Sequence, residues 1–201
     1  MLIKICGMTE QPIIDLAAAL GVDMCGFVFY PRSPRYISPP RAAELDTRGM
    51  KRVGVFVDQS PRETLAIARM ARLDYVQLHG RQGAEFLKAF PPEQIIRVLF
   101  PRAYAGAAEM QEDVDRLFKG CGMFLLDAGM GSGRTLDWSA LSSVRFPRPW
   151  LLSGGLGHEN IAEALSMCRP HGIDMNSRLE DKPGHKSAVL LGKAVAAVRN
   201  R

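Results

Sequence analysis

The sequence predicts one closed (β/α)8 barrel, an α/β fold of the TIM type, as a single catalytic domain over residues 1–201. Three observations predict it. Eight short apolar runs alternate with amphipathic stretches along the whole chain. No Pro/Ser-rich linker, low-complexity tract or strong internal repeat divides them. Several strands also carry polar residues on one face, where a closed barrel has an interior to hold them.

The apolar runs are Leu2–Cys6, Met24–Phe29, Arg52–Val57, Tyr75–Leu78, Ile95–Phe100, Met123–Asp127, Trp150–Ser153 and Ile173–Asn176. Between them, Gln11–Leu20, Pro61–Ala71, Ala105–Phe118, Glu159–Cys168 and Lys186–Val198 carry helical patterning. Ser60-Pro61 supplies an N-cap followed by proline at the first helical position. Strand–helix alternation implies βαβ units and a parallel sheet. An open doubly wound sheet usually has about five or six strands. A count of eight favours closure.

Strand side chains alternate between faces, so Lys4 and Cys6 share a side, as do Gln77 with His79 and Asp174 with Asn176. The outer face of such a barrel is covered by helices and should be apolar, so these residues belong inside. Strands one and eight become neighbours on closure. Lys4 and Asp174 are then expected to pair in the interior, as a structural ion pair.

The composition, 47% hydrophobic and 23% charged over 201 residues, is that of an ordinary globular domain. A formal charge of +5 suits a small anionic substrate. Lys and Arg form no stripe or docking motif, so no nucleic-acid partner is expected. Cys6, Cys25, Cys121 and Cys168 lie far apart without metal-ligand spacing, and read as reduced thiols. No metal or organic cofactor is expected. No apolar run approaches the ~20 residues of a membrane span. The chain enters its first strand at once, leaving no room for a signal peptide. A cytoplasmic protein with no membrane partner is expected.

Active sites of these barrels lie at the carboxyl ends of the strands. Here strand one ends in Cys6, strand six in Asp127 before a glycine-rich loop, strand seven in Ser153-Gly154-Gly155, and strand eight in Asn176-Ser177-Arg178. Each signal has a bland reading. A lone cysteine is more often a small buried hydrophobe, and an aspartate before glycine more often a turn residue. Gly154 and Gly155 say more, since glycines there let backbone N–H groups approach a phosphate, and phosphate sites after strands seven and eight are frequent in this fold. Asn176, Ser177 and Arg178 fall beside that site. Four such strand ends together point to a site.

The segments 4–9, 26–36, 53–57, 76–80, 125–127, 135–138 and 153–156 resemble, in order, the signature segments of the phosphoribosylanthranilate isomerase family. The resemblance spans essentially the whole chain, and its first two segments are specific to the family rather than to barrels in general. It implies an Amadori rearrangement in tryptophan biosynthesis: N-(5-phosphoribosyl)anthranilate becomes 1-(2-carboxyphenylamino)-1-deoxyribulose 5-phosphate. It implies that Asp127 is the general acid, protonating the ribose ring oxygen and opening the ring to a Schiff base. Cys6 is then the general base that removes the C2 proton, and the enolamine tautomerises to the ketone. The residue types suit these tasks. A thiolate is a competent base if its pKa falls from ~8.5 toward neutrality. An acid that must be protonated near neutral pH needs burial or negative neighbours. The resemblance makes Arg35 the partner of the anthranilate carboxylate; its bland reading is a solvated loop arginine stacked on Tyr36. His79 is assigned to substrate positioning. The implied partner is a small phosphorylated substrate, and the implied state a monomer or homodimer.

The chain departs from the family at several places. Arg178 follows Ser177 where glycine is usual, Met130 and Ser132 replace commoner Gly and Thr, Arg134 stands for Lys, and Ser187 follows Lys186 where Asp is common. Arg178 touches the expected phosphate site. It implies strain, a solvated side chain, a direct phosphate contact or a pairing with an acid such as Glu180; of these, phosphate contact is favoured. Two rival functions remain. The first is a dual-substrate isomerase also serving histidine biosynthesis, whose acid–base pair resembles two aspartates, one of them where this chain has Cys6. The second is a non-catalytic phosphosugar-binding barrel, which needs neither Cys6 nor Asp127.

Overall fold

A computed structural model describes residues 1–80, 82–127, 141 and 143–200. Met130, Ser132, Arg134 and the segment 135–138 lie outside the described residues. Eight parallel strands close into a barrel in sequence order: β1 Leu2–Ile5, β2 Met24–Val28, β3 Lys51–Phe56, β4 Tyr75–Leu78, β5 Ile95–Leu99, β6 Met123–Asp127, β7 Trp150–Ser153 and β8 Gly172–Met175. Closure runs through β1 and β8, whose register sets Lys4 opposite Asp174.

Alternation along the strands sorts the side chains as the sequence implies. Met24, Val53, Ile96, Val98, Met123, Leu125 and Leu151 form an apolar plug inside the barrel. The alternate strand positions, such as Ile3, Ile5, Phe27, Phe56 and Phe124, join the larger core between strands and helices. The plug fills the lower interior, so the polar residues further along the strands face the carboxyl end.

Among the described residues the helices are α1 Gln11–Ala19, α2 Pro39–Glu44, α3 Pro61–Met70, α4 Ala107–Leu117, α5 Ile161–Met167 and α6 Ala188–Arg199. Helix α3 starts with a complete capping box: Ser60 Oγ accepts from the Glu63 amide, and Glu63 accepts from the Ser60 amide at 2.8 Å. Helix α6 buries Leu191, Ala194, Val195 and Val198, one face at three- and four-residue spacing. No helix among the described residues is long and apolar enough to cross a membrane.

Among the described residues, two connections differ from simple alternation. Between β4 and β5 the described residues make only 3-10 turns, Ala84–Lys88 and Pro92–Gln94. Gly80 and Gly83 bound this segment at one end and Pro91-Pro92 at the other. After β8, a 3-10 turn at Ser177–Leu179 leads into a hairpin of β9, Glu180–Lys182, and β10, His185–Lys186. Gly184 turns it with φ +85°.

The expected interior ion pair is present: Lys4 Nζ lies 2.8 Å from Asp174 Oδ1, and Lys4 is fully buried. Burial disfavours the ammonium, but Asp174 and Cys6 more than offset this and hold Lys4 charged, with its pKa raised. Lys4→Met leaves Asp174 buried without its partner, and should cost about 3–5 kcal/mol of folding stability. Urea unfolding checks this, with the double change Lys4→Met/Asp174→Leu recovering most of the loss. A single variant as stable as the wild type would show that the pair is dispensable.

Candidate active site

A cavity of about 1210 Å3 opens at the carboxyl ends of the strands. Eight of the nine residues singled out from the sequence line it: Cys6, Arg35, His79, Asp127, Gly154, Gly155, Asn176 and Ser177, with Arg178 the exception.

Cys6 follows β1, and its amide donates to the Met175 carbonyl at 2.9 Å, continuing the β1–β8 ladder past the last strand residue. Gly26 on β2 makes its surroundings possible. A Cβ there would stand 3.1 Å from the Cys6 sulfur and 3.3 Å from Lys4 Nζ, so glycine lets the ammonium and the thiol share one corner. Burial pushes the Cys6 thiol above its ordinary range, while the charges of Lys4 and Lys186 pull the other way. A general base at neutral pH calls for a thiol lowered toward neutrality. Here burial outweighs the two lysines, and the shift is upward.

Asp127 ends β6 with its side chain 7% exposed, and its Oδ2 lies 3.4 Å from His79 Nε2. His79 in turn has Nδ1 3.4 Å from the Gln77 amide nitrogen and stands edge-on to Phe100, with centroids 5.2 Å apart. Burial lowers the His79 pKa, against the opposing pull of Asp127. The ring is neutral at physiological pH and can donate or accept one proton beside Asp127.

Gly154 and Gly155 have φ of +97° and +66°, the left-handed region that glycine adopts without strain. Asn160 braces their loop: its Oδ1 accepts from the Gly157 amide and its Nδ2 donates to the Gly155 carbonyl, both at 2.9 Å. Asn176 is tied to Lys186, whose Nζ donates to Asn176 Oδ1 at 2.6 Å and to its carbonyl at 3.1 Å. Ser177 opens the 3-10 turn beside the glycines. Backbone N–H groups gathered by loops of this kind form a concavity suited to an oxyanion.

Arg178 sits elsewhere. Its Nη1 lies 3.2 Å from Glu159 Oε2, with the side chain 39% exposed. Its stem covers Gly157, where a Cβ would come within 2.9 Å of Arg178 Cβ. Among the described non-glycine residues only Arg48 and Arg72 have positive φ, so the strain considered for Arg178 is absent. Glu180, the acid suggested as its partner, instead binds Arg35 at 2.8 and 2.7 Å and Lys186 at 2.6 Å. Arg35 is therefore a paired, half-buried arginine, not one solvated and stacked on Tyr36.

Sequence reasoning missed Glu180 and Lys186 as part of the site. Pro183-Gly184 is a turn signal, but the flanking strands have only three and two residues. That is too few for periodicity to show a hairpin.

Fold and site together define a parallel (β/α)-barrel enzyme, with a thiol and a carboxylate facing one cavity beside two left-handed glycines. A family profile described as N-(5'phosphoribosyl)anthranilate (PRA) isomerase matches residues 3–197. The N-(5'-phosphoribosyl)anthranilate isomerase of Desulfovibrio desulfuricans is 49% identical over 98% of this chain and 94% of its own length. That of Maridesulfovibrio salexigens is 42% identical over 98% of both chains. Among solved structures, the isomerase of Thermus thermophilus superposes with a TM-score of 0.87 at 35% identity, over 100% of this chain and 99% of the other. A phosphoribosyl anthranilate isomerase in complex with reduced 1-(o-carboxyphenylamino)-1-deoxyribulose 5-phosphate gives 0.83 at 31% identity, over the whole of both chains. The chain belongs to the phosphoribosylanthranilate isomerase family, as the resemblance implied.

Proposed function

We propose that this chain catalyses the Amadori rearrangement of N-(5-phosphoribosyl)anthranilate in tryptophan biosynthesis, with Asp127 as general acid and Cys6 as general base. The observation that carries the reading is the convergence of these two groups on one cavity, from β6 and β1. Asp127 delivers its proton to the ring oxygen as the C1–O bond breaks, leaving a protonated Schiff base. The Cys6 thiolate takes the C2 proton, and the C2–H electron pair forms the enolamine double bond. The enol hydroxyl then loses its proton and C1 gains one, giving the ketone. Neutral His79, beside Asp127, positions the substrate. Arg35 takes the anthranilate carboxylate, and Gly154, Gly155, Asn176 and Ser177 take the phosphate. Binding both anionic ends of the substrate fixes the ribose between acid and base. The whole of residues 1–201 acts as one catalytic domain, cytoplasmic, as a monomer or homodimer on a small phosphorylated substrate. Expression in a host lacking this isomerase should restore growth without tryptophan. Failure to do so, with soluble protein present, would contradict the reading.

The two ends of the substrate can be tested apart. Arg35→Met should weaken ligands bearing the anthranilate carboxylate by about 1.5–3 kcal/mol, the value of hydrogen bonds to a charged group, and leave ribose 5-phosphate unaffected. Calorimetric titration of both ligands checks it, and equal losses would rule the assignment out. Arg178 reaches the phosphate only by leaving Glu159, an exposed pairing worth little. On that reading Arg178→Gly raises the Kd of ribose 5-phosphate and flattens its salt dependence. An unchanged Kd would release Arg178 from the site.

A further inference from the structure

Behind the cavity wall two cations share one carboxylate. The side chains of Glu180 and Lys186 are each 3% exposed, and that of Arg35 is 13% exposed. Glu180 grips Arg35 side-on, Nε to Oε1 at 2.8 Å and Nη2 to Oε2 at 2.7 Å. Its Oε1 also accepts from Lys186 Nζ at 2.6 Å. With its two bonds to Asn176, Lys186 has used all three of its donors. Arg35 has not: its Nη1 has no partner among the described residues, and Arg35 lines the cavity.

The cluster is held from three sides. Glu180 and Lys186 face each other across the β9–β10 hairpin. The hairpin's Gly184 packs on the Pro34 carbonyl, directly before Arg35, so closely that no Cβ fits. From the other side, a Cβ on Gly7 would lie 2.9 Å from Arg35 Cδ and 3.0 Å from Asn176 Oδ1, so the turn after Cys6 closes over the same atoms. The buried charges of Arg35, Lys186 and Glu180 leave one net positive charge, which a monoanionic carboxylate would complete.

We propose that Glu180, locked by Lys186, is a positioning residue that fixes the Arg35 guanidinium side-on, so that its outer edge meets the substrate carboxylate. The proposal rests on the reading of Arg35 given above. An arginine already committed to one carboxylate along its Nε–Nη2 edge offers the remaining edge in a fixed plane. The substrate then meets a pre-organised donor pair instead of ordering a flexible side chain. The Glu180 pKa is lowered despite burial, since Arg35 and Lys186 both favour its charged form.

Glu180→Gln separates positioning from simple charge, because it raises the cluster from one net positive charge to two while removing the lock. The probes are reduced 1-(o-carboxyphenylamino)-1-deoxyribulose 5-phosphate, which carries the carboxylate, and ribose 5-phosphate, which does not. Positioning predicts that Glu180→Gln binds the first about tenfold or more weakly, as expected for a lost charge-assisted contact, and the second unchanged. KM should rise while kcat stays within about threefold. Charge alone predicts tighter binding, so equal or tighter binding overturns the proposal. Glu180→Asp keeps the charge but withdraws the carboxylate by one methylene; it should weaken the first probe in the same direction by less, and serves if the glutamine variant does not fold. Arg35→Met in the same titration tells the two failures apart. If it costs nothing, the carboxylate reading of Arg35 is wrong and this inference falls with it. If it weakens binding while both Glu180 variants match the wild type, only the positioning role is wrong.

Discussion

Cys6→Ser lowers kcat by about 10²–10⁴-fold or more, the range general base catalysis supplies, while ribose 5-phosphate still binds. A serine hydroxyl is far too weak a base at neutral pH to replace a thiolate. Sulfur and oxygen differ little in size, so the barrel should remain folded. The environment of the thiol adds a pH signature. Burial raises the Cys6 pKa, with Lys4 and Lys186 opposing it. The active thiolate is therefore lost as pH falls, and kcat/KM should climb through neutral into mildly alkaline pH. Lys186→Met removes one of the opposing charges and should move that rising limb to higher pH. A serine variant with near-wild-type kcat, under conditions where chemistry limits the rate, would remove Cys6 from the mechanism.

Asp127→Asn lowers kcat by a comparable ~10²–10⁴-fold, because a proton donor used in the transition state is gone, and changes KM far less. The amide keeps the shape of the group and can still face His79 Nε2, which lies 3.4 Å from Asp127 Oδ2 in the wild type. Loss of kcat thus reports proton delivery rather than packing. If the variant raises KM alone, Asp127 is a binding or structural residue.

Much of the site was legible because strand periodicity does two jobs in a closed barrel. Alternation assigned Lys4, Gln77 and Asp174 to the interior, and closure made the first and last strands neighbours, so the Lys4–Asp174 pair followed from topology alone. The same alternation carried Cys6, His79, Asp127 and Asn176 to the cavity at the strand ends. Three features were not legible. The β4–β5 connection carries 3-10 turns where strand–helix alternation alone implies a helix. The β9–β10 hairpin is too short to show a period, so the partners of Arg35 stayed hidden. The direction of the Cys6 shift depended on burial against two lysines, one of which, Lys186, reaches the thiol only through that hairpin. The departures at Met130, Ser132 and Arg134 lie outside the described residues.

The most direct test of acid–base isomerisation is turnover with substrate generated in situ from anthranilate and phosphoribosyl pyrophosphate, with the product identified by mass and chromatography. The account predicts 1-(2-carboxyphenylamino)-1-deoxyribulose 5-phosphate at a rate proportional to wild-type protein, and little or none from Cys6→Ser or Asp127→Asn. Folded wild-type protein that binds ribose 5-phosphate yet forms no product, or variants that form it as fast as the wild type, would contradict the account.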